Sequence, residues 1–179
     1  MTAQRGMREL RDGNTAGAEA QLAILEENAR NALAETRALV ASGAAVGADG
    51  GLAIALRRLG ERFQRETGIV VSVAADEHAA LDRDGEVVLL RCAQEALANV
   101  RKHSGATTAS LALVDSDGTV VLTISDDGAG FDPAKDSSGF GLAGMRERLG
   151  LVRGTLEVAA TPGGGATLVA SMPAAGVTA

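Results

Sequence analysis

The stretch Ser125-Asp-Asp-Gly-Ala-Gly-Phe-Asp132, with Gly139-Phe-Gly-Leu-Ala-Gly-Met145 close behind, decides the fold of this chain. Val120-Val-Leu-Thr-Ile124 leads into it as an apolar, β-branched run, so Asp126 falls at the end of a strand. A carboxylate in that place can accept a hydrogen bond from the amino group of an adenine. Gly128 and Gly130 remove side chains, which lets a flat base approach the backbone and permits positive φ. Asp-Asp-Gly-Ala-Gly also fits an ordinary turn. A calcium loop fits poorly, because the alternating carboxylates and the closing Glu are missing.

The second cluster, Gly139-x-Gly141-x-x-Gly144, has the letters of a dinucleotide-binding fingerprint. That fingerprint directly follows a strand, whereas Pro133-Ala-Lys-Asp-Ser-Ser138 is a polar loop. Bare glycine amides at a helix N-terminus still favour a phosphate. The anion site therefore survives and the Rossmann assignment does not.

Upstream, Glu95-Ala-Leu-Ala-Asn-Val-Arg-Lys-His103 reads as a helix with Glu95, Asn99, Lys102 and His103 on one face. Asn99 can offer an amide oxygen to Mg²⁺, a hard cation that prefers oxygen ligands and keeps several waters. Lys102 can neutralise phosphate, and Glu95 can accept a proton or orient a nucleophile. Taken alone, the same face fits a solvated helix surface.

Working outward, Leu22, Leu25, Ala29, Ala32, Thr36 and Leu39 recur at helical spacing within residues 16–42. Asp12-Gly13-Asn14-Thr15 before them reads as turn and N-cap. The stripe is too narrow to make a core alone and calls for a partner helix. Ser42–Gly51 is a glycine-rich break and the best domain boundary. Helices are expected over Leu52–Thr67 and Asp82–His103, and another runs to about Leu149. Strands are expected over Ile69–Ala74, Thr108–Val114, Thr119–Ser125, Thr155–Ala160 and Ala166–Met172. Asp115-Ser-Asp-Gly118 joins two of them as a hairpin. This order implies an α/β sandwich, a mixed sheet with helices gathered on one face.

Composition narrows the function. The 179 residues carry a net charge of −6, so no basic excess exists for general nucleic-acid binding. Cys92 is the single cysteine, which excludes an internal disulfide and leaves an inert buried thiol as the expectation. No apolar run is long enough to cross a bilayer, so the chain reads as cytoplasmic. Trp and Tyr are absent, and two of the three Phe, Phe131 and Phe140, stand inside the glycine motifs. They either flank a site or anchor its loops.

The order of these segments resembles the ATP-binding domain shared by sensor histidine kinases, gyrase-type topoisomerases, heat-shock chaperone ATPases and mismatch-repair ATPases, over about Leu52–Pro173. Gln94–Ala106, Asp126–Phe131, Gly141–Arg148 and Pro162–Thr167 narrow the likeness. They resemble bacterial histidine kinases that signal to LuxR/NarL-type response regulators. The resemblance implies a Bergerat-type fold, mainly antiparallel, preceded by one helix, with ATP and Mg²⁺ as ligands. It makes Asn99 the Mg²⁺ ligand, Glu95 the acid/base helper, and places Lys102 or His103 near the phosphates. Asp126 would hold the adenine amino group over a floor shaped by Gly128 and Gly130, with Thr167 near the adenine end. Gly139, Gly141, Leu142 and Gly144 would form the lid hinge and the phosphate-facing helix start, behind a short lid at Asp132–Ser138.

The resemblance also divides the chain. Residues 1–48 would be the truncated phosphoacceptor hairpin, mainly its second helix, and 49–179 the catalytic domain. Arg8-Glu-Leu-Arg-Asp12 has Arg11 where such kinases carry the accepting His, and the histidines present, His78 and His103, suit other roles. The acceptor hairpin of a parent kinase, a LuxR/NarL-type regulator and a weak homodimer through residues 16–42 are the implied partners. Any membrane anchor would belong to the parent. Two rival readings use the same site: an anti-sigma-factor-type serine kinase, and an interaction module that holds nucleotide without transferring phosphate.

Overall fold

The structure, a computed structural model, describes residues 7–8, 11, 14–15, 17–22, 51–130, 140–160 and 164–176. The chain falls into two compact units, Met1–Ala41 and Ser42–Ala179. In the first, Asn14 caps a helix that includes residues 17–22. Its Oδ1 accepts from the Gly17 amide at 3.0 Å, and its carbonyl accepts from Ala18 at 3.1 Å. Leu22, which opens the expected apolar stripe, is exposed. The remainder of that stripe lies outside the described residues.

The second unit begins with α1, Gly51–Thr67. Its apolar residues Leu52, Leu56, Leu59 and Phe63 recur at helical spacing and are buried. Gly68, at φ 79°, ends it by donating to the Gln64 carbonyl at 2.9 Å. Strand β1, Val70–Ala75, follows. Helix α2, Arg83–Asn99, starts at an Asp82 N-cap whose Oδ1 accepts from the Gly85 amide at 2.8 Å. Asp84 and Glu86 add negative charge to its first turn, where the helix dipole favours it.

The long helix expected to His103 changes character at its end. The α-helix stops at Asn99, and Val100–Ser104 form a π-helical turn closed by Gly105 at φ 62°. Ser104 shapes this wider turn, its hydroxyl donating to the Val100 carbonyl at 2.8 Å and accepting from the Ala106 amide at 3.0 Å. Strands β2, Thr108–Ser116, and β3, Thr119–Asp126, then form the hairpin. Asp117 and Gly118 turn it with φ of 52° and 75°, the left-handed pair that suits the twist of the strands. Helix α3, Phe140–Leu151, and strands β4, Thr155–Ala160, and β5, Ala166–Pro173, complete the unit.

The five strands lie in the order β1-β2-β3-β5-β4, with β1 parallel to β2 and every other pairing antiparallel. Strand alternation sends Leu111 and Leu113, Leu122 and Ile124, and Leu168 and Ala170 to one face, where all are buried. Leu89, Leu90, Ala93 and Leu97 of α2 and Met145 and Leu149 of α3 belong to the same core. Each such leucine contributes about 1.5–3 kcal/mol of burial. This core of short aliphatic side chains admits Phe63 as its one aromatic among the described residues. The other face of the sheet presents hydroxyls, in a cross-strand row of Ser72, Ser110, Ser125 and Thr167. An open, mixed sheet with its core on one side is the architecture the sequence implied.

Candidate functional site

Asp126 is the last residue of β3, and alternation puts its side chain on the same face as Leu122 and Ile124, the side of the core. Its Oδ1 accepts from the Gly128 amide at 2.9 Å, which bends the chain sharply as it leaves the strand. Gly128 is buried against the end of the π-turn. A methyl group there would stand 2.5 Å from the Ser104 carbonyl oxygen and 2.6 Å from its Cβ. The next amide, Ala129, donates to that Ser104 carbonyl at 2.7 Å. Gly130 then takes φ 63°, which glycine adopts without strain. Through these contacts the loop after the strand-end carboxylate is fixed to the end of the π-turn.

Asn99, half-buried, stands five residues before Ser104, and Lys102 and His103 are exposed on the π-turn itself. Glu95 lies one turn further back, half-buried, and its carboxylate rests against Gly141 in the first turn of α3. From Glu95 to Asn99 the α-helix rises about 6 Å. Gly144 is covered by the Arg148 guanidinium, whose Nη1 would lie 3.3 Å from a methyl placed there. Leu142 packs half-buried against the core. Gly139 and the Asp132–Ser138 loop lie outside the described residues. Thr167 sits at the same end of the sheet but faces the other side: it pairs with Ser125, and their hydroxyls bond at 2.9 Å. The residue opposite Asp126 is Ala166.

Two contributors escaped the sequence reading. Asp127 Oδ1 accepts from the amides of Thr107 and Thr108 at 2.8 and 2.9 Å, and Oδ2 accepts from the Thr107 hydroxyl at 2.7 Å. The Thr108 amide first, and the Thr107 hydroxyl after it, hold this carboxyl well below the usual range. Neighbouring carboxylates thus do different work. Asp127 ties the loop to the start of β2, while Asp126 spends one oxygen on Gly128, and its Oδ2 has no hydrogen bond among the described residues. The second contributor is Gly165, at φ 77°, where a methyl group would collide with the Asp126 carbonyl. Only the run Gly163-Gly-Gly165 signalled it, and that run reads equally as a simple turn.

Burial pushes the Cys92 thiol up to about 11, with the nearby Glu95 charge adding to the rise and Arg148 opposing it. At neutral pH it is a protonated core residue and no nucleophile. Among the described residues no group of three His, Cys, Asp or Glu side chains could cage a metal. Mg²⁺ arriving with a nucleotide typically takes one or two protein oxygens and completes its shell with phosphate and water. An amide oxygen such as that of the half-buried Asn99 is a donor of the kind this ion would take.

Residues 84–176, just over half of the chain, match the family described as histidine kinase-, DNA gyrase B-, and HSP90-like ATPases. The chain belongs to that family. Its ATP-binding domain is therefore the body formed by α2, the hairpin, α3 and the last two strands. The sensor histidine kinase MctS of Rhizobium johnstonii is 39% identical over 130 residues, 70% of this chain and 28% of that protein. The histidine-protein kinase/phosphatase DegS of Brevibacillus brevis is 31% identical over 152 residues, 83% of this chain and 39% of that protein. UhpB of Salmonella typhimurium, named likewise, is 38% identical over 114 residues, 63% of this chain and 23% of that protein. The chain thus spans between about a quarter and two-fifths of the length of these relatives.

Solved structures agree on the fold. The histidine kinase domain of the Erythrobacter litoralis blue-light activated kinase superposes with a TM-score of 0.63 at 21% identity, covering 76% of this chain and 70% of that one. The Acinetobacter baumannii histidine kinase AdeS gives 0.60 at 14% identity, covering 96% and 93%. No helix among the described residues is long and apolar enough to cross a membrane.

Proposed function

We propose that this chain binds Mg-ATP and transfers the γ-phosphoryl group to a histidine on a helical hairpin, for relay to a LuxR/NarL-type response regulator. One observation carries the reading. The Gly128–Ala129 segment, just after Asp126, closes on Ser104, the last residue of the π-turn that follows Asn99. Asp126 Oδ2 accepts from the adenine amino group, and the turn through Gly128 and Gly130 shapes the floor beneath the ring. Asn99 gives its amide oxygen to Mg²⁺, which neutralises phosphate charge when bound. Lys102 and His103, exposed on the π-turn, reach toward the phosphates. The start of α3, at Gly141, offers its free amides to the phosphate end, with Gly139 just before the helix in sequence and Gly144 one turn along it.

In the transfer, a ring nitrogen of the accepting histidine attacks the γ-phosphorus. The bond to the β–γ bridging oxygen breaks, and ADP leaves. The proton shed by the imidazole passes to a carboxylate, the task assigned to Glu95. Phosphoryl transfer asks the protein mainly for positioning and charge stabilisation, and this constellation provides both. Residues 1–48 would supply the second helix of an acceptor hairpin, residues 16–42 pairing weakly with a second copy, in a cytoplasmic portion of a larger kinase. Thr167, on the sheet's other face, acts through Ser125 rather than on the base.

The test is transfer of labelled γ-phosphate from ATP to a supplied hairpin carrying a histidine, with a serine-bearing protein substrate as control. Label is expected on the histidine, dependent on Mg²⁺ and lost in Asn99→Asp. Label on the serine protein, or tight ATP binding without any transfer, would sink the proposal.

A further inference from the structure

Helices α2 and α3 pack together, and α3 carries two glycine gaps. Gly141 and Gly144 stand three residues apart, so they open on the same side of α3. A charged side-chain end fills each gap. A methyl group on Gly141 would lie 2.5 Å from Glu95 Oε1, 3.4 Å from its Cδ and 3.6 Å from its Cγ. A methyl on Gly144 would meet the guanidinium of Arg148, folded back along its own helix, at 3.3 Å. Cys92, three residues before Glu95 on α2, lies within the fields of both charges.

As sequence, these glycines read as bare amides for a phosphate. The contacts give Gly141 a second task. We propose that Gly141 is a positioning residue for Glu95, its missing side chain being the space in which the carboxylate is held. The proposal rests on Glu95 serving as the acid/base group of the transfer reaction.

The kind of neighbour decides what a methyl group would do. At Gly128 the obstructing atom is backbone, the Ser104 carbonyl oxygen, so the chain itself must move. At Gly141 it is the far end of a long side chain, which can swing aside. Alanine is also a better helix former than glycine. Gly141→Ala therefore leaves the fold intact and moves the Glu95 carboxylate. A displacement of about 1 Å in a reacting group is enough to cost a large factor in rate.

Gly141→Ala, Glu95→Asp and the double variant test this in the full chain, with ATP and a histidine-bearing hairpin. For Gly141→Ala, kcat is expected to fall about tenfold or more while KM for ATP stays within about twofold and the melting temperature does not drop. Glu95→Asp withdraws the carboxylate by one methylene, so the double variant should be faster than Gly141→Ala alone. Equal losses in kcat and ATP affinity would return Gly141 to a purely phosphate-facing role and overturn the proposal. So would an unchanged kcat, or a double variant no faster than the single one.

A second readout does not need the reaction. In nucleotide-free protein labelled with ¹³C, the Glu95 side-chain carboxyl resonance should shift in Gly141→Ala, while amide signals beyond α2 and α3 stay in place. An unmoved Glu95 resonance overturns the positioning role. A wild-type chain that binds ATP yet never phosphorylates the hairpin overturns the kinase reading instead, and the resonance still decides the role of Gly141.

Discussion

The two glycine-lined ends of the site are made of different material. At the β3 end, the nearest atoms that a methyl group would strike are backbone, the Ser104 carbonyl at Gly128 and the Asp126 carbonyl at Gly165. At the α3 end they are side-chain tips, the Glu95 carboxylate at Gly141 and the Arg148 guanidinium at Gly144. Backbone atoms yield only if a strand or helix shifts, whereas side-chain tips rotate about their own bonds. The strand end is thus shaped before any ligand arrives, and the helix end keeps room to adjust. Under the proposed function the first end recognises a base and the second releases a phosphate, tasks that call for those opposite properties.

Substitutions can break this contrast. Gly165→Ala should be the most damaging, because its φ of 77° is costly for any other L residue and its methyl would strike Asp126. A loss of at least ~2 kcal/mol in urea unfolding is expected, with ATP affinity falling alongside. Gly128→Ala should cost about 1–3 kcal/mol, the usual range for forcing atoms into a packed site, and weaken ATP binding as the loop shifts. Should Gly128→Ala prove as harmless to stability as Gly141→Ala, the distinction between rigid and yielding ends fails.

Asp127→Ala should lower the melting temperature with less effect on ATP affinity, since that carboxylate serves the loop tether. Its dependence on pH has a definite sign. Hydrogen bonds depress the folded-state pKa, so the stabilisation is fully present above the unfolded value of about 3.9 and is lost as pH falls below it. The gap in melting temperature between wild type and variant should accordingly shrink from pH 7 toward acid. A gap that widened on acidification would contradict the tether.

Features written in local patterns were legible in the sequence. The Asp115–Gly118 turn, the helix starting near Asp82 and the strands β2, β3 and β5 each depend on residues a few positions apart. Asp126 could be read for the same reason, from an apolar strand that ends in glycines. What could not be read are contacts between distant residues. Asp127 looks like a twin of Asp126 until its partners, 19 and 20 residues away, are known. Glu95 and Gly141 meet only because α2 and α3 pack together.

Thr167 shows how finely register decides. A step of one residue in a strand reverses the face, and pairing Asp126 with Ala166 turns the Thr167 hydroxyl to Ser125. The π-turn is a further surprise, since Val100–Ser104 has nothing in its composition to distinguish it from the α-helix before it.

Calorimetric titration of ATP into Asp126→Ala, with Asp127→Ala as its neighbour control, tests most directly whether the strand-end carboxylate holds the base. Loss of a charged hydrogen bond worth about 1.5–3 kcal/mol should weaken ATP binding roughly 10- to 100-fold in Asp126→Ala, while the fold survives the loss of the Gly128 contact with a lowered melting temperature. An affinity unchanged in Asp126→Ala, or reduced only in step with a collapse of the fold, would contradict it.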